Sequence, residues 1–152
     1  MLDKLKAMFT PSAGPLRLGD SAHDMRVAVC AVLLEAAEVD QQVPAAERRT
    51  IRELLKREFD LSDSAVEALI ADTRTARNNA SDLWPFTTAI ARVYSPDQKL
   101  NLLQMVWQVI FADNRLDPYE DQLARRLQAM LSVNHSLLME AKKRARQAGA
   151  VV

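Results

Sequence analysis

Two pairs of carboxylates dominate the chemistry this sequence could perform. Asp40 is followed by Glu47, and Asp113 by Glu120. Each Asp closes an apolar run, AVCAVLLEAAEVD or LNLLQMVWQVIFAD, and each Glu opens the charged stretch that follows. Glu35 and Asp117 stand close by as second-rank candidates. Carboxylates in turns offer oxygen donors only, and such sets favour Ca²⁺, Mg²⁺ or Mn²⁺ over zinc. Two carboxylates about 5 Å apart repel by roughly 3 kcal/mol at an effective dielectric of about 20. If the two turns converged at one edge, a cation, protonation or basic neighbours would have to offset that cost. The turns are not EF-hands. Counting from Asp113, Pro118 stands where the loop needs Gly, and Ala124 where it needs a bidentate Glu.

A second reading of the same residues involves no metal. Asp117 and Glu120 have the spacing of a capping box, and Glu47 suits a helix start through the dipole alone. Arg48, Arg49, Arg115, Arg125 and Arg126 lie close enough in sequence to neutralise the acids. Spacing leaves both readings open.

Other chemistry finds little support. His23 and His135 belong to no acid–base motif, and no G-x-S-x-G, P-loop or C-x-x-C occurs. A hydrolase built on clustered carboxylates would still lack an identifiable nucleophile and oxyanion site. Cys30, the single cysteine, sits inside an apolar helix and reads as a small hydrophobe; one cysteine excludes an internal disulfide. The chain is expected not to be an enzyme. Its 20 basic and 20 acidic side chains balance, which argues against a nucleic-acid partner.

The elements that must position these residues are helices. With 152 residues, 49% of them hydrophobic and only three Gly, the chain suits one all-α domain. Helical spacing predicts a first buried helix over about 21–39, capped by Asp20 or Ser21. A second carries Ile51, Leu54, Leu55 and Phe59 inward. A third, capped by Ser62, buries Val66, Leu69, Ile70 and Thr73. A fourth starts at Ser81 and faces Leu83, Phe86, Ile90 and Val93 inward. Ser95-Pro96-Asp97-Gln98 is a capping-box start for the fifth, which carries Leu100, Leu103, Trp107, Ile110 and Phe111. A sixth buries Leu123, Leu127, Met130 and Leu131. The seventh, capped by Asn134, buries Leu138, Ala141 and Ala145.

The acidic pairs sit 73 residues apart, and the same offset aligns Val43 with Leu116, Ile51 with Ala124 and Leu54 with Leu127. The expected architecture is a single-domain helical bundle of about seven helices, with an internal pseudo-two-fold helix-turn-helix repeat. Residues 1–20 read as a leader helix and linker, 21–147 as the helical domain and 148–152 as a tail. The N-terminal residues lack the apolar core of a signal peptide, and no run is long enough to span a membrane, so a cytoplasmic protein is expected. The dipole of the last helix accounts for the basic cluster Lys142, Lys143, Arg144 and Arg146, and a phosphate-binding tail is the alternative reading.

The phrases LLEAAEVDQQVPAAERRTIRELLKREFDLS and WQVIFADNRLDPYEDQLARRLQAML resemble the TerB-like tellurite-resistance proteins of bacteria. That fold also resembles the N-terminal cytosolic domain of a membrane-anchored DnaJ-type cochaperone. The likeness covers about residues 22–146. Its pattern is an apolar helix followed by Ala-x-x-Asp-Gly-x-[Val/Leu]-x-x-x-Glu, given twice. It falls here on Asp40, Val43 and Glu47, then on Ala112, Asp113, Leu116 and Glu120. The resemblance implies an all-helical bundle with a non-enzymatic role in stress response and divalent metal at its acidic residues. Partners would be proteins, among them a membrane-associated stress-response complex or a second copy in a homodimer. Two departures bear on the metal. The Gly after each Asp is Gln41 and Asn114 here, and Gln108 stands where many relatives carry Glu after the Trp. The alternative is a purely structural interaction module without metal.

Overall fold

The computed structural model describes residues 18–19, 21–37, 45–112 and 118–150; the side chains of residues 45–47, 118–121 and 149–150 fall outside that description. Residues 1–17 of the predicted leader and linker and the centres of both acidic turns therefore lie outside the described residues. Seven helices are described: α1 (Ala22–Ala37), α2 (Ala45–Phe59), α3 (Asp63–Asn78), α4 (Trp84–Val93), α5 (Pro96–Phe111), α6 (Pro118–Met130) and α7 (His135–Ala150). Among the described residues there is no strand, and no helix is long and apolar enough to cross a membrane.

α1 is the hub. Nearly every side chain from Met25 to Ala37 is buried, and only Arg26 and Glu35 in that span keep partial exposure. A helix that is apolar all round must be surrounded, and α1 packs against α2, α3, α4 and α5. α5 is the second core helix and packs against α1, α2 and α7; α4 leans on α6.

The starts of the helices follow from local chemistry. Ser21 Oγ accepts the Asp24 N–H at 3.1 Å. At α5, Ser95 Oγ accepts the Gln98 N–H at 3.2 Å while Gln98 Oε1 accepts the Ser95 N–H at 2.9 Å, closing the expected capping box. Pro96 opens this helix, where its missing N–H costs nothing.

The α2–α3 and α6–α7 corners are built alike. In one, the Leu61 N–H reaches back to the Lys56 carbonyl; in the other, Val133 reaches Gln128. The residue before each, Asp60 at φ 53° and Ser132 at φ 58°, takes the left-handed conformation of a Schellman stop. Ser62 and Asn134 then cap the next helices, accepting the N–H groups of Ala65 and Leu137. These corners match at an offset of 72 residues. The offset of 73 holds for the buried pairs Ile51 with Ala124 and Leu54 with Leu127. The repeat thus extends through a third helix, with one residue fewer in the second corner, and α4 links the two three-helix copies.

The fourth helix departs from expectation. Ser81 does not start it; the Asp82 carboxylate accepts the Trp84 N–H at 2.9 Å and the helix begins at Trp84. Pro85 then sits in the first turn, where it is tolerated. Leu83, Phe86 and Ile90 are buried as predicted, whereas Val93 is 41% exposed. α4 is a short helix of which Val93 is the last residue.

Candidate functional site

The carboxylate turns join α1 to α2 and α5 to α6. Asp40, Asp113 and Asp117 lie outside the described residues. Glu47 and Glu120 are each the third residue of their helix, α2 and α6, with side chains outside the description. The two copies therefore present these acids at matching positions in a first helical turn.

The described contacts fix where the two core helices begin. Arg26, early in α1, stacks its guanidinium 5.7 Å from the Phe59 ring at the end of α2. Asn101, early in α5, donates from Nδ2 to both carboxylate oxygens of Glu58, each at 3.0 Å. Arg92, at the end of α4, donates to the Leu18 carbonyl just ahead of α1 at 3.3 Å. α1 and α5 thus start at the same end of the bundle, beside the C-terminus of α2, and run away from it.

Glu35 is the one candidate ligand whose side chain is described. Its Oε2 lies 3.6 Å from the Arg77 guanidinium on α3, and both groups are about one-third exposed. It faces a cation already present in the protein. Among the described residues no group of three His, Cys, Asp or Glu side chains gathers as a metal site.

Among the remaining sequence candidates, His23 and Cys30 have structural partners. His23 lies 3.4 Å from Asp72, with both side chains largely exposed. His135 opens α7 on the surface. Burial pushes the Cys30 thiol from 9.0 up to about 11, while a hydrogen bond with Thr73 and the charge of Arg74 pull weakly the other way. A thiol held so firmly in its protonated form is a poor nucleophile and a poor ligand.

The basic residues of α7 do more than complement a dipole. The Lys142 ammonium sits 4.7 Å from the centre of the Trp107 ring, and the Arg146 guanidinium 5.7 Å from that of Phe111. Trp107 and Phe111 themselves stack at 5.5 Å. Two cations on α7 therefore clamp two aromatic rings on α5, the helix that leads into the second acidic turn. The rings and cations lie four residues apart on each helix, the signal that would have paired them.

One feature escaped a reading centred on acids. Arg48 and Arg52, four apart on α2, face Arg74 and Arg77, three apart on α3, across two adjoining cavities of about 260 and 130 Å³. Spacings of three and four place each pair on one helix face. That α2 faces α3 required knowing the corner at Asp60.

Comparison with known proteins gives one family match. The family model described as Tellurite resistance protein TerB matches residues 26–143, from the first turns of α1 into α7. No curated protein and no solved structure matches the chain significantly. The match spans most of the sequence and both copies of the repeat, and the chain belongs to the TerB family.

Proposed function

We propose that this TerB domain is a non-enzymatic binding module of bacterial stress response whose two acidic turns together hold one divalent cation. Asp40, Glu47, Asp113 and Glu120 would be the ligands, with Asp117 in support. The observation that carries this reading is the matched geometry of the copies. α1 and α5 start at one end of the bundle, and each leads through a turn to a Glu at the third position of the next helix. The donor set, oxygen throughout, suits Ca²⁺, Mg²⁺ or Mn²⁺. A bound cation would offset the mutual repulsion of the four carboxylates and tie the two copies together. Glu35 contributes differently in this account, through its pairing with Arg77.

Thermal unfolding after EDTA treatment, with each cation added separately, tests the proposal. A site at one hundred times its dissociation constant adds about 2.7 kcal/mol, on the order of several degrees in midpoint for a domain of this size. The reading expects such a shift for a hard cation and its loss in Asp40→Asn and in Asp113→Asn. A midpoint indifferent to every cation would return the acids to capping and ion pairing.

A further inference from the structure

α4 carries an apolar face that the other described helices leave open. Its buried side, with Phe86, Ala89 and Ile90, belongs to the core. On the other side Trp84, Thr88 and Ala91 follow at spacings of four and three, which puts them on one face. Trp84 is 58% exposed, more than any other large hydrophobic side chain among the described residues. Thr88 and Ala91 are small and half-buried, so another helix can approach α4 closely beside the indole. From Leu83 to Ser95 the one charged residue is Arg92. A large aromatic on an otherwise uncharged helix face suits an apolar occupant.

The chain itself supplies one. Arg92, at the end of α4, donates to the Leu18 carbonyl at 3.3 Å, and the Gly19 N–H donates to the Asp24 carboxylate at 2.9 Å. Leu18 also packs against the core. These contacts hold residues 18–19 beside the end of α4, and residues 1–17 join the body there. Leu2, Leu5, Met8 and Phe9 recur at helical spacing, with Asp3 on the opposite side. As a helix, residues 2–9 would be about 12 Å long, which equals the rise of about 12 Å from Trp84 to Arg92. Residues 10–17 reach at most about 26–29 Å when extended, enough to lay that helix back along α4.

We propose that residues 2–9 dock as a helix along α4 of the same chain, with Leu2, Leu5, Met8 and Phe9 covering Trp84 and the strip formed by Thr88 and Ala91. A short tether gives the leader a local concentration on the order of millimolar, which favours its own α4 over that of a second copy in dilute solution.

The test compares the full chain with a variant carrying Leu5→Ser and Phe9→Ser together, both ¹⁵N-labelled, through the indole N–H signals of the two tryptophans. Trp84→Phe assigns the Trp84 signal. The Trp84 signal is expected to move in the leader variant, and acrylamide quenching of fluorescence to become steeper. Trp107, 2% exposed, should keep its signal and report an intact core. Asp3→Asn, on the opposite side of the leader, should change neither readout. The protection of Trp84 should not depend on protein concentration. An unmoved Trp84 signal with equal quenching overturns the proposal and leaves the α4 face open to another molecule. Protection that grows with concentration also overturns it, since the leader would then reach a second copy. So does equal disturbance by Asp3→Asn, or movement of the Trp107 signal together with that of Trp84, which would make the leader a support of the core and not a cover on α4.

Discussion

The clamp of α7 on α5 makes a prediction that can be worked through in energies. Trp107 is 2% exposed, and its indole N–H has no hydrogen-bond partner among the described residues. Lys142 covers the ring at 4.7 Å and is itself half-buried. Cation–π contacts are worth about 0.5–1 kcal/mol when exposed and about 2 when desolvated; this one lies between, at about 1 kcal/mol. Lys142→Met keeps the aliphatic stem over the ring and removes the charge. Trp107→Leu removes the ring. Truncating a buried aromatic to Ala costs about 3–5 kcal/mol. Leu refills part of the space, and losing an unpaired buried N–H returns roughly 1–3 kcal/mol, so the single variant should lose about 1–3 kcal/mol and stay folded. Lys142 makes a further interaction, which cancels in a double-mutant cycle if it is independent of Trp107. Urea unfolding of the four proteins at constant m gives the coupling directly. A coupling of about 1 kcal/mol moves the midpoint by roughly half a molar at an m of about 2 kcal/mol/M. A coupling below about 0.3 kcal/mol, the scatter of independent sites, would refute the clamp.

Two further expectations follow from the burial of Cys30 and from the caps. The folded-state pKa of Cys30 is raised from 9.0 to about 11. The stability this gives is fully present below pH 9 and is lost as the pH rises through the folded value. At about 1.4 kcal/mol per unit, the advantage of the native protein over Cys30→Ala should shrink by roughly 2–3 kcal/mol between pH 8 and pH 11. A difference constant with pH in denaturant titrations would show that the thiol is not held neutral. Ser95→Ala and Asn134→Ala each remove a side-chain cap and should each cost about 1 kcal/mol. Their effects should add in the same denaturant assay, since they cap different helices; a neutral Asn134→Ala would contradict the cap assigned to α7.

The fold was legible because its signals are local. Scarce Gly, helical spacing, and Ser62, Ser95 and Asn134 as caps placed six of the seven helices closely. The start of α4 was not legible, because Ser81 and Asp82 compete as cap residues and only the Asp82 carboxylate meets the Trp84 N–H. The exposure of Val93 was equally hidden, since periodicity gives a face but not which turns of it are covered. The repeat was visible at 73 residues through two helices. Its shift to 72 at the second corner shows only when Asp60 and Ser132 are seen as the same left-handed stop. The acidic pairs were the strongest chemical signal in the sequence, while the arginine groove depends on α2 and α3 folding back on each other. Glu35 illustrates the limit: its type and place near the end of α1 suited a ligand, yet its described neighbour is Arg77.

Calorimetric titration of the EDTA-treated protein with Ca²⁺, Mg²⁺ and Mn²⁺ tests the central claim most directly, because it counts sites. If the two turns build one site, one cation binds per chain, and Asp40→Asn or Asp113→Asn alone abolishes it. Two independent binding events, each lost in only one variant, would contradict a shared site, and no binding heat with any of the three cations would remove the metal from the account.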